Sequence, residues 1–264
     1  MINALPRTVE LLTEAMFALD GGAMFGIIPR PLWDRTNPGD DQNRIDLACR
    51  CMLVRYDDGT DVLVDVGIGT KWSEKERGIY KIGHQDAQLE TALAGHGLSP
   101  SDIDHVVLTH LHFDHAGGLG RLDERGAVVA SFPNATHWVQ RKNWGWANSP
   151  SARDGGSYRP VDFSFLGDDG APLLELVDGP SELLPGIEVF VMNGHTFGMQ
   201  PFRGRDRLRR FVRAEGTPRD RFDSRANIAH IHRNHWQVTR KGFPNRCRRP
   251  FIRRGHRQCI AGRQ

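Results

Sequence analysis

The segment His110-Leu-His112-Phe-Asp114-His115 constrains this chain more than any other stretch. It follows an apolar run over 104–109 and precedes Ala116-Gly117-Gly118. The run reads as a buried strand, so the imidazoles stand where a strand gives way to a loop. Side chains two apart on extended backbone point the same way, so His110 and His112 can grip one cation together. Asp114 and His115 come where the chain turns. Being adjacent, they cannot easily join the same ion in the same direction, but they can reach a second one close by. The two glycines are expected to permit a tight turn there. Imidazole and carboxylate donors without a thiolate suit zinc, and also manganese, iron or cobalt.

Six residues cannot complete such a centre, so the fold must bring another histidine to the same place. Asn193-Gly194-His195-Thr196-Phe197-Gly198 offers one, again directly after an apolar run, 187–192. His195 is therefore the candidate third ligand beside His110 and His112. His84, His96, His105 and His137 lack such a setting and read as surface or core residues.

The rest of the body alternates short apolar runs with Gly, Pro and Asp punctuation. Residues 51–55 and 61–65 read as a hairpin turning at Asp57-Asp58-Gly59. Residues 85–95 have helical spacing, with Leu89 and Leu93 four apart. Residues 98–102 read as a turn. Strands are expected over 128–131, 136–140, 173–177 and 187–192, with a turn at Pro185-Gly186. The stretch 149–169, rich in Ser, Gly, Asp and Pro, reads as a long surface loop of the kind that often carries function. Strands with interspersed helices indicate an α/β fold with sheets at its centre.

Charge divides the chain. Residues 1–202 hold 16 Lys+Arg against 28 Asp+Glu, whereas 203–264 hold 19 against 4. Leu, Ile, Val and Phe supply only 11 of those last 62 residues, a composition that cannot bury enough apolar surface to fold alone. Two units follow: a folded domain over 1–202, and an Arg-rich segment over 203–264 that is disordered or an out-of-frame reading. A basic tail that contacts nucleic acid is the other reading of that segment, disfavoured by the acidic body. No apolar run approaches the roughly 18 residues of a membrane span. Glu10 and Glu14 interrupt the apolar N-terminal stretch, which argues against a secretory signal and for a cytoplasmic location. None of Cys49, Cys51, Cys247 and Cys259 forms a CxxC pair, so free thiols are expected.

The HxHxDH segment and the later Gly-His loop resemble the metallo-β-lactamase superfamily over about 15–202. Asp20 to Gly26 with Pro29 to Trp33, Val62 to Gly67, and Phe113 are similar to its branch of quorum-quenching N-acyl homoserine lactone hydrolases. The resemblance implies an αββα sandwich with a two-zinc site at the sheet edges. It assigns His110, His112 and His195 to one ion, Asp114 and His115 to the other, and Asp65 to orienting a histidine. It also implies a hydrolase that brings activated water to the carbonyl of a small-molecule lactone, with Asp114 as proton shuttle. Met24, Phe25, Ile27 and Ile28 would offer an apolar surface to an acyl chain. The alternatives are a thioester hydrolase of glyoxalase II type and a metal-binding protein with impaired catalysis. The family's later bridging aspartate and last histidine have no convincing counterpart among Asp206, Asp220, Asp223, His230, His232, His235 and His256. The sandwich is therefore expected to be incomplete at its C-terminal end, with its second ion in doubt.

Overall fold

The acidic N-terminal stretch, left without an element by its sequence, is the longest strand of the molecule. In the computed structural model, which describes residues 6–83, 89–167 and 173–204, β1 (Pro6–Asp20) runs antiparallel to β2 (Arg44–Tyr56). β2 turns at the expected Asp57-Asp58-Gly59 into β3 (Asp61–Val64), with Gly59 at φ 92°. β4 (His105–Val107) lies parallel to β3. β5 (Gly120–Leu122) and β6 (Val128–Ala130) form a separate hairpin. β7 (Thr136–Gln140) and β8 (Leu174–Val177) complete a six-stranded sheet of order β1-β2-β3-β4-β7-β8. β9 (Ser181–Leu184), β10 (Ile187–Val189) and β11 (Phe202–Gly204) make a three-stranded antiparallel sheet with β10 central. β9, with only two apolar residues, was not legible as a strand.

The period of two sorts the central strands between two cores. Met52, Val54, Val62, Val64 and Val107 face the second sheet and meet Val177, Leu184, Ile187, Val189 and Phe202. Leu53, Leu63 and Val106 face the other way, into a core shared with Leu89, Leu93 and Phe163. Burial on both faces explains why β2, β3 and β4 read as continuous apolar runs. Each such fully buried aliphatic side chain contributes on the order of 2 kcal/mol.

The helices are short. α1 (Gly21–Phe25), α2 (Arg30–Trp33) and α3 (Glu74–Tyr80) gather at the β1–β2 end around a third core of Phe17, Trp33, Cys49, Ile68, Trp72 and Phe113. α4 (Leu89–Ala94) supplies the expected Leu89 and Leu93. α5 (Phe113–Ala116) is a single turn, and α6 (Arg141–Asn148) follows β7. α7 (Pro160–Phe163) lies within the stretch expected to be a surface loop. That expectation is corrected: Tyr158, Asp162, Phe163 and Leu166 are buried, and their apolar surface holds the segment down.

Cys49 and Cys51 are buried free thiols. Among the described residues no helix is long and apolar enough to cross a membrane. The readings that rest on His84, on 85–88 and on nearly all of 203–264, including Cys247, Cys259 and the candidate late ligands, lie outside the described residues.

Candidate metal centre

Because β3 and β4 are parallel neighbours, their C-terminal ends stand side by side. Asp65 follows β3 at once, in the left-handed region at φ 56°, where Asp and Asn are tolerated better than most residues. Its Oδ1 accepts from Thr109 N at 2.8 Å, and its Oδ2 takes His115 Nδ1 at 2.7 Å. The Thr109 hydroxyl gives its proton to Asp65 and lies 3.0 Å from His110 Nδ1. Both histidines thus spend Nδ1 on the support, which leaves Nε2 as the atom to meet a cation.

After a bend at Thr109 the chain runs on to His112, whose backbone is extended, and then coils into α5. His110 and His112 share a side, as the spacing predicts, with ring centroids 4.5 Å apart. His195, carried in after β10, stands 4.9 Å from the first ring and 4.7 Å from the second. One ligand atom from each of the three lies within 4.8 Å of the others, the spacing of a shared cation. Asp114 and His115 come from the first turn of α5, where His115 Nε2 is 3.9 Å from Asp114 Oδ2. The structure thus brings all five candidate ligands to one end of the sheets. His195 is exposed while the other four are buried.

The three histidines fit a divalent cation on their own chemistry. His112 Nε2 is buried and has no hydrogen-bond partner among the described residues. A polar atom left so is costly unless something else satisfies it. Burial holds the His112 pKa down to about 3, so its imidazole is neutral, which is the form that binds metal. Burial opposes protonation of His115 too, but Asp65 and Asp114 outweigh it and hold that pKa above the ordinary value.

The glycines act differently from the expectation. Neither Gly117 nor Gly118 has positive φ. A Cβ on either would run into the carbonyl oxygen of Ile68 or Val66, so close backbone approach, not turn geometry, demands glycine here. That neighbouring 66–69 segment is held from behind by Glu14. A register shift in β1 between Thr13 and Ala15 leaves Glu14 out of the pairing and turned inward. Its carboxylate accepts from Ile68 N at 3.0 Å and Gly69 N at 3.1 Å. Lys71, buried, donates to Gly117 O at 2.5 Å and Gly120 O at 2.6 Å and pairs with buried Asp162 at 3.2 Å. Burial pushes the Lys71 pKa down while Asp162 works against that.

Sequence reading missed Glu14, Lys71, Thr109, Asn143, Tyr158 and Thr196. Tyr158 lies edge-on to His112 with centroids 4.6 Å apart, and its hydroxyl is 2.5 Å from Thr196 Oγ1. Thr196 in turn donates to Asp154 Oδ2 at 3.3 Å. A polar residue inside an apolar strand, as at Glu14, was a readable signal. Each of the others has at least one partner far away in sequence.

Met24 and Phe25 lie half-buried in α1, Phe25 stacked on Trp33 at 5.0 Å, against the same aromatic core as Phe113. Ile27 and Ile28 stand out in solvent instead of joining that wall.

Residues 44–214 match the Metallo-beta-lactamase superfamily. Over 71 residues the chain is 43% identical to the N-acyl homoserine lactonase AttM of Azorhizobium caulinodans, covering 27% of this chain and 23% of that one. The match therefore spans under a quarter of that relative's length. Among solved structures, a probable metal-dependent hydrolase from Staphylococcus aureus is 32% identical with a TM-score of 0.66, covering 76% of this chain and 69% of that one. A dizinc quorum-quenching lactonase in complex with a product shares the fold at a TM-score of 0.59 and 18% identity, over 77% and 71% of the two chains.

Proposed function

Since the chain belongs to the metallo-beta-lactamase superfamily, we propose that it is a zinc-dependent hydrolase that opens a lactone ring, with an N-acyl homoserine lactone as the substrate class. The observation that carries this reading is the convergence of His110, His112 and His195, with ligand atoms within 4.8 Å, on the edge of two facing sheets. These three hold one ion, and Asp114 with His115 offers donors for a second. A bound divalent ion lowers the pKa of water towards about 7 and polarises a carbonyl oxygen.

The side chains do the rest. Asp65 and Thr109 fix the tautomer and direction of His115 and His110. Water adds to the ring carbonyl, the acyl C–O bond breaks, and the departing oxygen needs a proton. In this reading Asp114 takes a proton from the attacking water and returns it to that oxygen. Met24 and Phe25 form the apolar wall along which an acyl chain would lie. The lactonase identity favours this substrate class over a thioester.

The test combines metal analysis with two assays on the full chain. The expected result is bound zinc with proton release from N-hexanoyl homoserine lactone and little turnover of a glutathione thioester. Two equivalents of zinc support both ion sites. One equivalent without turnover supports the impaired metal-binding alternative, and preference for the thioester overturns the lactonase reading.

A further inference from the structure

Asn143 occupies the third position of α6, where an asparagine gains little from the helix itself. It is nonetheless fully buried. Its side chain reaches both loops that carry the histidines. Leu111 N, between His110 and His112, donates to Asn143 Oδ1 at 3.0 Å. Asn143 Nδ2 donates at 2.8 Å to the carbonyl oxygen of Phe197, two residues beyond His195. The orientation of the amide follows from chemistry: an N–H needs the oxygen and a carbonyl needs the NH2, so the reverse placement would fail at both ends. Tyr158 Oη, edge-on to His112, lies 3.4 Å from Nδ2. The approach is close as well. Gly198, at φ 70°, leaves no room for a Cβ against the backbone nitrogen of Asn143.

We propose that Asn143 is a positioning residue that sets the register between the His110–His112 loop and the His195 loop, and so the affinity and geometry of the three-histidine site. This rests on the reading of those histidines as metal ligands. No backbone hydrogen bond joins the two loops at the ligands themselves among the described residues. Behind them, Gln200 N donates to Thr109 O at 2.8 Å and Gln200 Nε2 to Leu108 O at 2.8 Å. That second bridge keeps the sheets joined when Asn143 is changed, while the ligand ends lose the hydrogen bonds Asn143 makes to both loops.

The experiment compares the full chain with its Asn143→Leu variant, using zinc alone for affinity by chelator competition and cobalt(II) for the absorption spectrum of the histidine site. The expected result is a loss of zinc affinity of roughly 10–100-fold, the range for supporting residues of a metal site, together with a shifted cobalt spectrum. If affinity and spectrum are unchanged and only the metal-free melting temperature falls, Asn143 is merely structural and the proposal is overturned. If the unaltered chain takes up no metal, the metal reading itself fails and the proposal falls with it. Asn143→Asp covers a leucine variant that does not fold: it keeps the bond from Leu111 N and loses the donor to Phe197 O. Its cobalt spectrum is expected to shift, and an unchanged one overturns the proposal.

Discussion

The two loops that supply the histidines are held by opposite means. The 108–118 loop is buried, and it is gripped by Asp65, by Lys71 and by backbone laid directly on backbone at Gly117 and Gly118. The 193–198 loop leaves His195 exposed and depends on side-chain hydrogen bonds from Asn143, Asn193 and the Thr196–Tyr158–Asp154 chain. The first loop inherits its shape from the core, so its four candidate ligands are fixed by the fold itself. The second is set by a few polar contacts, each contributing about 1 kcal/mol. Preorganisation is therefore concentrated on one side of the site, and adaptability on the other.

Four measurements break or sharpen this contrast. The largest effect belongs to the shared site: His110→Ala lowers zinc affinity by more than about a hundredfold, beyond the range of a supporting residue, in chelator competition. Retained uptake would remove the metal centre altogether. Next, Lys71→Met leaves Asp162 buried with Arg159 at 3.5 Å as its one remaining cation among the described residues, and costs about 3 kcal/mol in chemical denaturation. A loss below 1 kcal/mol, on the order of a surface pair, would mean the buried loop is not braced by that charge.

Asp65→Asn keeps the left-handed backbone but gives up the charge beside His115. It is expected to weaken zinc binding roughly 10–100-fold with little change in the metal-free melt. An equal loss in both would assign Asp65 to the fold instead of the site. The smallest effect is at Thr196→Val, about 1 kcal/mol by denaturation. Its readout is amide hydrogen exchange: residues 193–198 exchange faster than 108–115 in the unaltered chain, and the variant widens the gap. Equal protection of the two loops would erase the distinction between them.

The sequence exposed the buried loop more readily than the exposed one, for a physical reason. His110, His112, Asp114 and His115 are local in sequence and follow a run apolar on both faces, so spacing alone indicated their geometry. The hairpin from β2 to β3 was readable from Asp57-Asp58-Gly59. By contrast β1 hid behind Glu14, because a carboxylate in a bulge breaks the alternation that marks a strand. The 149–169 stretch looked like loop because its buried Tyr158, Phe163 and Leu166 are spread among Ser, Gly and Asp. Asn143 and Lys71 carry no local signature, since their partners lie 15 to 91 residues away. The grouping of His195 with the first cluster was legible from its setting, a histidine between glycines directly after an apolar run, while its distances came from the fold.

The contact of Gly117 and Gly118 with the carbonyls of Ile68 and Val66 carries a consequence for how such a site can be altered. Main-chain atoms touch there without any intervening side chain, so the gap between the aspartate strand and the imidazole strand is a fixed dimension of the polypeptide. Substitution elsewhere can recolour the walls at Met24 and Phe25 while that dimension stays put. A library that randomises Met24 and Phe25 and spares these two glycines would vary that apolar surface at constant spacing of the candidate ligands.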